Sequence, residues 1–133
     1  MRTLLIRSVK EILLSWLEGS DVGVGCEMGT AYQRLVRKLT IENLWLYVMS
    51  ILKKEPLYGY EIGEKIGKNF GFKPGKVTCY MVLYKLKSEG LITTKTVPGN
   101  SGGPQRKYYI ITPEGEKALE KAKRFLRKLY QEL

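Results

Sequence analysis

The stretch from Lys73 to Leu91, KPGKVTCYMVLYKLKSEGL, places lysines, tyrosines and apolar side chains at helical spacing, with no acidic residue before Glu89. Pro74 and Gly75 predict the start of a helix, and Gly90 predicts its end. The buried stripe of that helix would be Cys79, Val82, Leu83 and Leu86. The opposite side, which we call the outer face, would carry Lys76, Val77, Thr78, Tyr80, Met81, Tyr84, Lys85, Lys87 and Ser88.

The side chains of the outer face suit a phosphate-bearing duplex. Lysine ammonium groups at its edges can neutralise phosphates, whereas Thr78 and the apolar tips of Val77 and Met81 can meet base edges and thymine methyl groups. Tyr80 and Tyr84 can donate their hydroxyl groups to phosphate oxygens. We therefore expect the outer face, with Lys73 just ahead of it, to contact double-stranded DNA. The alternative is a lysine-rich surface that is simply solvated.

The composition fits a polyanionic partner and excludes several kinds of site. The 133 residues suffice for one core, and 23 Lys and Arg residues against 13 Asp and Glu residues give a net charge of +10. Lysine-rich surfaces also serve solubility, so the net charge alone does not establish a polyanionic partner. Without histidine or a CxxC pair, Cys26 and Cys79 indicate neither zinc nor a disulfide framework. We expect no metal, no cofactor, a buried Cys79 and a cytoplasmic location.

Residues 1–39 are predicted to form an N-terminal helix and a glycine-rich linker. The opening segment MRTLLIRSVKEILLSWLEG is apolar, but Arg7, Lys10 and Glu11 interrupt it, so we expect an amphipathic helix and no membrane span. Packing on the protein's own core is favoured over a membrane surface. Residues 19–30 form the glycine-rich break, and Met28 leaves open a non-native start or a dispensable extension.

Residues 40–112 have the order of a winged helix-turn-helix. Thr40 is predicted to cap a helix that is apolar nearly all round, which suggests cover by a second subunit. Pro56 ends it, Gly59 is predicted to make the turn, and a short second helix precedes the Lys73 stretch. Residues 92–97 and 106–112 then predict a hairpin, or wing, with a flexible tip. Wing residues expected to contact DNA are Asn100, Ser101, Arg106 and Lys107.

Residues 113–133 are predicted to form a C-terminal dimerisation helix, capped by Thr112 with Pro113 as its first residue. An apolar seam steps by three and four residues along it, with charges elsewhere. Two heptads cannot hold a coiled coil alone, so the seam would dock on the apolar first helix of a partner. The expected dimer interface comprises Leu44, Trp45, Val48, Leu119, Ala122, Leu126, Leu129 and Leu133. The fold class is therefore mainly α with a small β-hairpin.

The sequence resembles the PadR-like transcriptional regulators, in the subgroup with a single trailing helix. The matching segments are LYGYEI (57–62), Tyr80 with Leu83 and Leu86, EGLI (89–92) and GGPQRKYYIITPEG (102–115). Met81 replaces the usual proline and Lys87 the usual acid, which puts any borrowed operator sequence in doubt. The resemblance implies a homodimeric repressor whose small hydrophobic or aromatic effector, where there is one, binds near the dimer interface. Trp45, Tyr47 and Met49 would line that pocket, although ordinary interface core is the favoured alternative.

Three other functions compete with DNA binding. An enzyme is the weakest, because the chain has no histidine and no converging pair of acids. RNA binding would need aromatic rings on an open sheet, and only one of Tyr108 and Tyr109 can face outward. A winged helix that binds proteins is the stronger rival, although such domains usually have a neutral third helix.

Overall fold

The computed structural model describes residues 29–99 and 103–133. The predicted N-terminal helix, Cys26, Met28, Asn100 and Ser101 lie outside these residues. In chain order the elements are α1 (Ala31–Leu39), a 3-10 turn (Ile41–Asn43), α2 (Leu44–Lys54), β1 (Leu57–Tyr58), α3 (Gly59–Phe70), α4 (Lys76–Ser88), β2 (Ile92–Val97), β3 (Arg106–Ile111) and α5 (Pro113–Glu132).

The start of α2 differs from the sequence prediction. Thr40 was expected to cap this helix, but its buried hydroxyl donates instead to the carbonyl oxygen of Val36 at 2.7 Å. A hydroxyl that bonds back to the preceding turn terminates α1 rather than starting a new helix. The chain then makes its 3-10 turn, and α2 begins at Leu44. Helix α1 itself, capped by Thr30, was not predicted as a separate element.

Helix α2 lies at the centre of the core. It contacts α3, α4, α5 and β3 of its own chain, and its buried side chains are Leu44, Tyr47, Val48, Met49, Ile51 and Leu52. Neighbouring elements of the protomer therefore bury much of the apolar surface that suggested cover by a second subunit, and the prediction of a second subunit stays a prediction. Leu44 and Val48, 2% and 0% exposed, have no surface left for a dimer partner. Trp45 is only half-buried and keeps some surface that a dimer partner could contact.

Helix α3 is the short second helix that was predicted, and its Ile62 and Ile66 side chains are fully buried. Gly59 is the first residue of this helix rather than a turn residue. A Cβ added at Gly63 would have Pro74 Cγ as its nearest neighbour, at 4.0 Å. This is ordinary van der Waals spacing, so an alanine side chain would fit at this position.

A three-stranded antiparallel sheet, in the order β1-β3-β2, supports the wing. The two predicted β runs pair from Ile92 opposite Ile111 to Val97 opposite Arg106. The two-residue strand β1, which was not predicted, adds Leu57 opposite Tyr109. Because strand side chains alternate, Tyr109 and Ile111 face the core, whereas Arg106 and Tyr108 face the other side.

Helix α5 begins as predicted. The Thr112 hydroxyl accepts from the Gly115 N–H at 3.0 Å and donates to the Gly90 carbonyl at 2.7 Å, which ties the start of α5 to the end of α4. Leu119 packs into the protomer's core. Further along, the apolar side chains Phe125, Leu129, Tyr130 and Leu133 are exposed. Of the helices described, none has the length and apolar character needed to cross a lipid bilayer.

Candidate nucleic-acid interface

Local sequence fixes the position and length of α4. Gly75 is its N-cap, and Gly90 adopts the left-handed conformation with φ of +79°. The Leu91 N–H bonds to the Leu86 carbonyl at 3.0 Å, and the Gly90 N–H bonds to the Lys87 carbonyl. This double C-terminal bond is the Schellman motif, which ends a helix and turns the chain sharply. The wing strand β2 therefore follows α4 after a single turn.

The buried side of α4 matches the prediction for three of its four residues. Cys79, Leu83 and Leu86 are buried, whereas Val82 packs on the core but is only partly buried. Burial raises the pKa of the Cys79 thiol, so the neutral thiol is favoured, as expected for a small core side chain. Among the described residues, no cluster of His, Cys, Asp or Glu has the arrangement of a metal site.

The outer face of α4 is exposed throughout. At its centre Val77, Met81 and Tyr84 are 72%, 66% and 77% exposed. These side chains line a shallow groove of about 570 Å³. Its full lining is Lys76, Val77, Tyr80, Met81, Tyr84, Lys85 and Ser88. Thr78 and Lys87 are also exposed but do not line the groove, so all the predicted α4 residues are accessible.

Lysines on the outer face have no acidic partner among the residues that the structure describes. In the part of the chain that the structure describes, none of the salt bridges includes Lys76, Lys85 or Lys87. Lys73 differs, because it lies in the loop before α4 and its Nζ is 2.6 Å from Glu64 Oε2. That pair is exposed, and exposed pairs are weak, so Lys73 can exchange this carboxylate for a phosphate.

Tyr80 has a packing role as well as an exposed tip. Its ring lies against the backbone of Gly59, where an added Cβ would come within 2.8 Å of Tyr80 Cε1. The pKa of Tyr109 in β3 is raised, mainly by its burial and to a smaller extent by the charges of the nearby Tyr80 and Cys79 side chains. Tyr80 therefore lies where α4, the start of α3 and the sheet meet.

At the wing, Arg106 and Lys107 are exposed at the start of β3, immediately after the tip. Strand alternation points their side chains to opposite sides of the sheet. Asn100 and Ser101 lie outside the described residues, so their predicted contacts stay predictions.

Sequence reasoning missed a set of aromatic residues beside the wing. Tyr58 and Tyr108 stack with ring centroids 4.2 Å apart, and Tyr60 stacks on Tyr58 at 5.8 Å. Tyr58 and Tyr108 are brought together by β1, a strand too short to give a periodic signal. The alternating tyrosines of YGY were the only available hint.

The three residues predicted to line an effector pocket, Trp45, Tyr47 and Met49, have different surroundings in the structure. Tyr47 packs edge-on against Phe70 and Phe72, and its hydroxyl donates to the Leu39 carbonyl at 2.6 Å. Met49 points toward α5, because an added Cβ at Gly115 would come within 2.6 Å of its Cε. Tyr47 is two residues from both Trp45 and Met49 on this helix and faces the other side, whereas Trp45 and Met49, four residues apart, lie on the same side.

Helices α2 to α4 followed by the β2–β3 wing define a winged helix-turn-helix protein. The family model of the Transcriptional regulator PadR-like family matches residues 48–121. The chain belongs to this family, and it is therefore a transcriptional regulator rather than an enzyme. This confirms both the predicted fold class and the resemblance seen in the sequence.

Several solved structures are similar to this chain. A PadR family transcription regulator from Clostridium difficile R20291 is 34% identical with a TM-score of 0.58, over 67% of this chain and 95% of that one. A PadR-like transcription factor from Bacteroides fragilis is 28% identical with a TM-score of 0.62, over 74% and 93%. Bacillus subtilis PadR in complex with operator DNA is 28% identical with a TM-score of 0.54, over 59% and 45%. The curated proteins contain no match.

Proposed function

We propose that this protein binds duplex DNA sequence-specifically as a homodimer and represses transcription from a pseudo-palindromic operator. The observation that supports this most is the outer face of α4, where exposed lysines flank an exposed apolar centre directly ahead of a basic wing. Lysines beside phosphates release counterions, and apolar tips in the major groove can contact thymine methyl groups. The similar PadR of Bacillus subtilis was solved with operator DNA.

Dimerisation through the second half of α5 is part of this proposal. Leu129 and Leu133 are 46% and 94% exposed, and Ala122 and Leu126 are partly buried on the same side of the helix. Helix α1 offers a second exposed apolar surface through Tyr32, Leu35 and Leu39. Pairing such surfaces in a two-fold dimer would direct two outer faces at half-sites about one helical turn apart.

Regulation by a small hydrophobic or aromatic effector in the cytoplasm completes the proposal. Of the three residues predicted to line its pocket, Trp45 is the one that keeps exposed surface. An effector that packs against Trp45 at the edge of the dimer interface would change the spacing of the outer faces and release the operator.

One observation favours a second function, that of a protein-interaction module. The groove of the outer face is lined mainly by apolar atoms, and an amphipathic peptide helix could occupy it. The lysines at its edges would then select acidic partners.

Selection of bound duplexes from a random pool, followed by sizing of the complex, tests the proposal. We expect an enriched palindrome, with two protein chains per duplex. As a control, the same selection with the Lys76→Glu, Lys87→Glu double variant should enrich no sequence. The two acidic side chains at one edge of its outer face would repel the DNA phosphates. Failure of the wild-type protein to enrich any sequence would contradict the proposal and favour the protein-interaction function.

A further inference from the structure

Three tyrosine rings stack on the side of the sheet that faces away from the core. The strand register places Tyr58 opposite Tyr108, and their rings are 4.2 Å apart and inclined by 12°. Tyr60, in the first turn of α3, continues the stack with a ring 5.8 Å from that of Tyr58 and inclined by 7°. Offset parallel rings attract each other beyond the area that they bury. This tyrosine stack (Tyr58, Tyr60 and Tyr108) therefore joins the root of the wing to the start of α3.

Arg106 is next to the tyrosine stack. It lies two residues before Tyr108 and so on the same side of β3, and its Cζ is 5.3 Å from the centre of the Tyr58 ring. A planar guanidinium stacks on an aromatic ring, whereas an ammonium group remains hydrated. Within the described ranges, the salt bridges do not include Arg106. Among the residues that the structure describes, the Tyr58 ring is the contact that orients the guanidinium.

We propose that Tyr58 is a positioning residue, which holds Arg106 in the orientation that binds a DNA phosphate beside the wing. This inference rests on the proposed DNA binding. An unrestrained arginine loses side-chain conformational freedom when it binds, and stacking on Tyr58 removes part of that freedom beforehand. Lys107 is also basic and next in the chain, but it lies on the opposite side of β3 and is not held by the stack.

A double-mutant cycle on duplex binding tests this coupling. In the wild-type background, we expect Arg106→Ala to lower the affinity for duplex DNA about tenfold. In the Tyr58→Leu background, we expect the same Arg106→Ala change to lower it by less than about threefold. Lys107→Ala is the matched control, which should lower affinity by the same factor in both backgrounds. If Arg106→Ala has one and the same effect with and without Tyr58, the positioning role is overturned.

Two milder variants address the risk that Tyr58→Leu does not fold. Tyr58→Phe keeps the ring and should bind like the wild-type protein. Arg106→Lys keeps the charge without the planar group, and should bind more weakly than the wild-type protein although less weakly than Arg106→Ala. Wild-type affinity in Arg106→Lys would overturn the proposal.

A measurement without DNA separates this inference from the proposed function. The heteronuclear NOE of the Arg106 Nε–H group should show an ordered side chain in the wild-type protein and in Tyr58→Phe, and a mobile one in Tyr58→Leu. A mobile Arg106 in the wild-type protein overturns the positioning role even if DNA binding is strong. A wild-type protein that binds no duplex overturns both proposals, whereas salt-dependent binding with independent mutant effects overturns only this one.

Discussion

The ring of Tyr80 in α4 rests on the backbone of Gly59 at the start of α3, and an added Cβ would lie 2.8 Å from its Cε1 and 2.9 Å from its hydroxyl oxygen. Only a residue without a side chain leaves room for this contact. Gly59 therefore sets the position of Tyr80 at the edge of the outer face, and it does so from a different helix.

Replacement of Gly59 by alanine should displace the Tyr80 ring. Because the ring is partly exposed and can move outward, we expect a stability loss of only about 1 kcal/mol, with a clear loss of duplex affinity. Gly63→Ala is the matched control in the same helix. Its new Cβ would meet only Pro74 Cγ, at 4.0 Å, so it should stabilise the protein by about 0.5–1 kcal/mol and leave affinity unchanged. Unshifted Tyr80 ring resonances in Gly59→Ala would contradict this account.

The Tyr47 hydroxyl should make stability depend on alkaline pH. Burial raises its pKa to about 12 from an ordinary 10, so between these values the folded protein binds more protons than the unfolded chain. Stability should therefore fall as pH rises through this window, by roughly 1–2 kcal/mol after allowance for solvent screening. The stability of Tyr47→Phe should not fall in this way with pH. At pH 7 this variant should be about 1 kcal/mol less stable than the wild-type protein, because it lacks the hydrogen bond to the Leu39 carbonyl.

Urea unfolding of both proteins at several pH values measures this effect. Lysines and the other tyrosines titrate in both proteins, so the difference between the two curves isolates Tyr47. Parallel curves from pH 9 to 12 would show that the hydroxyl is not held in a buried bond.

Lysines of the outer face should act differently from its Thr78 and Met81 side chains. Lys87→Ala should weaken all duplexes alike, because a phosphate contact is independent of sequence. Thr78→Ala or Met81→Ala should instead change the relative affinity for duplexes that differ at one base pair, by about 1 kcal/mol. Competition titrations with a small duplex panel measure both effects. Identical behaviour of the two kinds of variant would show that the division of the face is wrong.

The exposed end of α5 should determine the oligomeric state. Leu129→Glu places a charge in the apolar seam and should convert the dimer to a monomer, as seen by sedimentation equilibrium. Arg124→Glu is the matched control, because Arg124 lies on the other side of α5 and is also exposed. A dimer that persists in Leu129→Glu, or dissociates equally in both variants, would place the interface elsewhere.

Sequence periodicity predicted the elements that have strong local signals. Helix α4 was found because its apolar residues recur at helical spacing between Gly75 and Gly90, and the wing because two β-rich runs flank a Pro and Gly tip. The same pattern placed Cys79 in the core and the lysines outside. These signals involve only neighbours in the chain, so one sequence suffices to see them.

Contacts between distant segments were beyond such reasoning. The apolar surface of α2 suggested a partner subunit, because a sequence does not reveal that α3, α4, α5 and β3 surround it. The contact between Tyr58 and Tyr108 depends on the pairing of β1 with β3, and a two-residue strand has no period. The hydroxyl of Thr40 could accept from a backbone N–H of the following helix or donate to a carbonyl of the preceding one. The path of the folded chain decides between these two hydrogen bonds.

The salt dependence of duplex affinity tests the central claim most directly. With Lys76, Lys85, Lys87 and the wing residues of two chains at phosphates, the logarithm of affinity should fall with the logarithm of salt concentration with a slope steeper than about −5. Lys87→Ala should make that slope shallower by about 1 for each chain in the complex. Affinity for the selected duplex that does not change between 50 and 200 mM salt would contradict the claim that the outer face binds DNA.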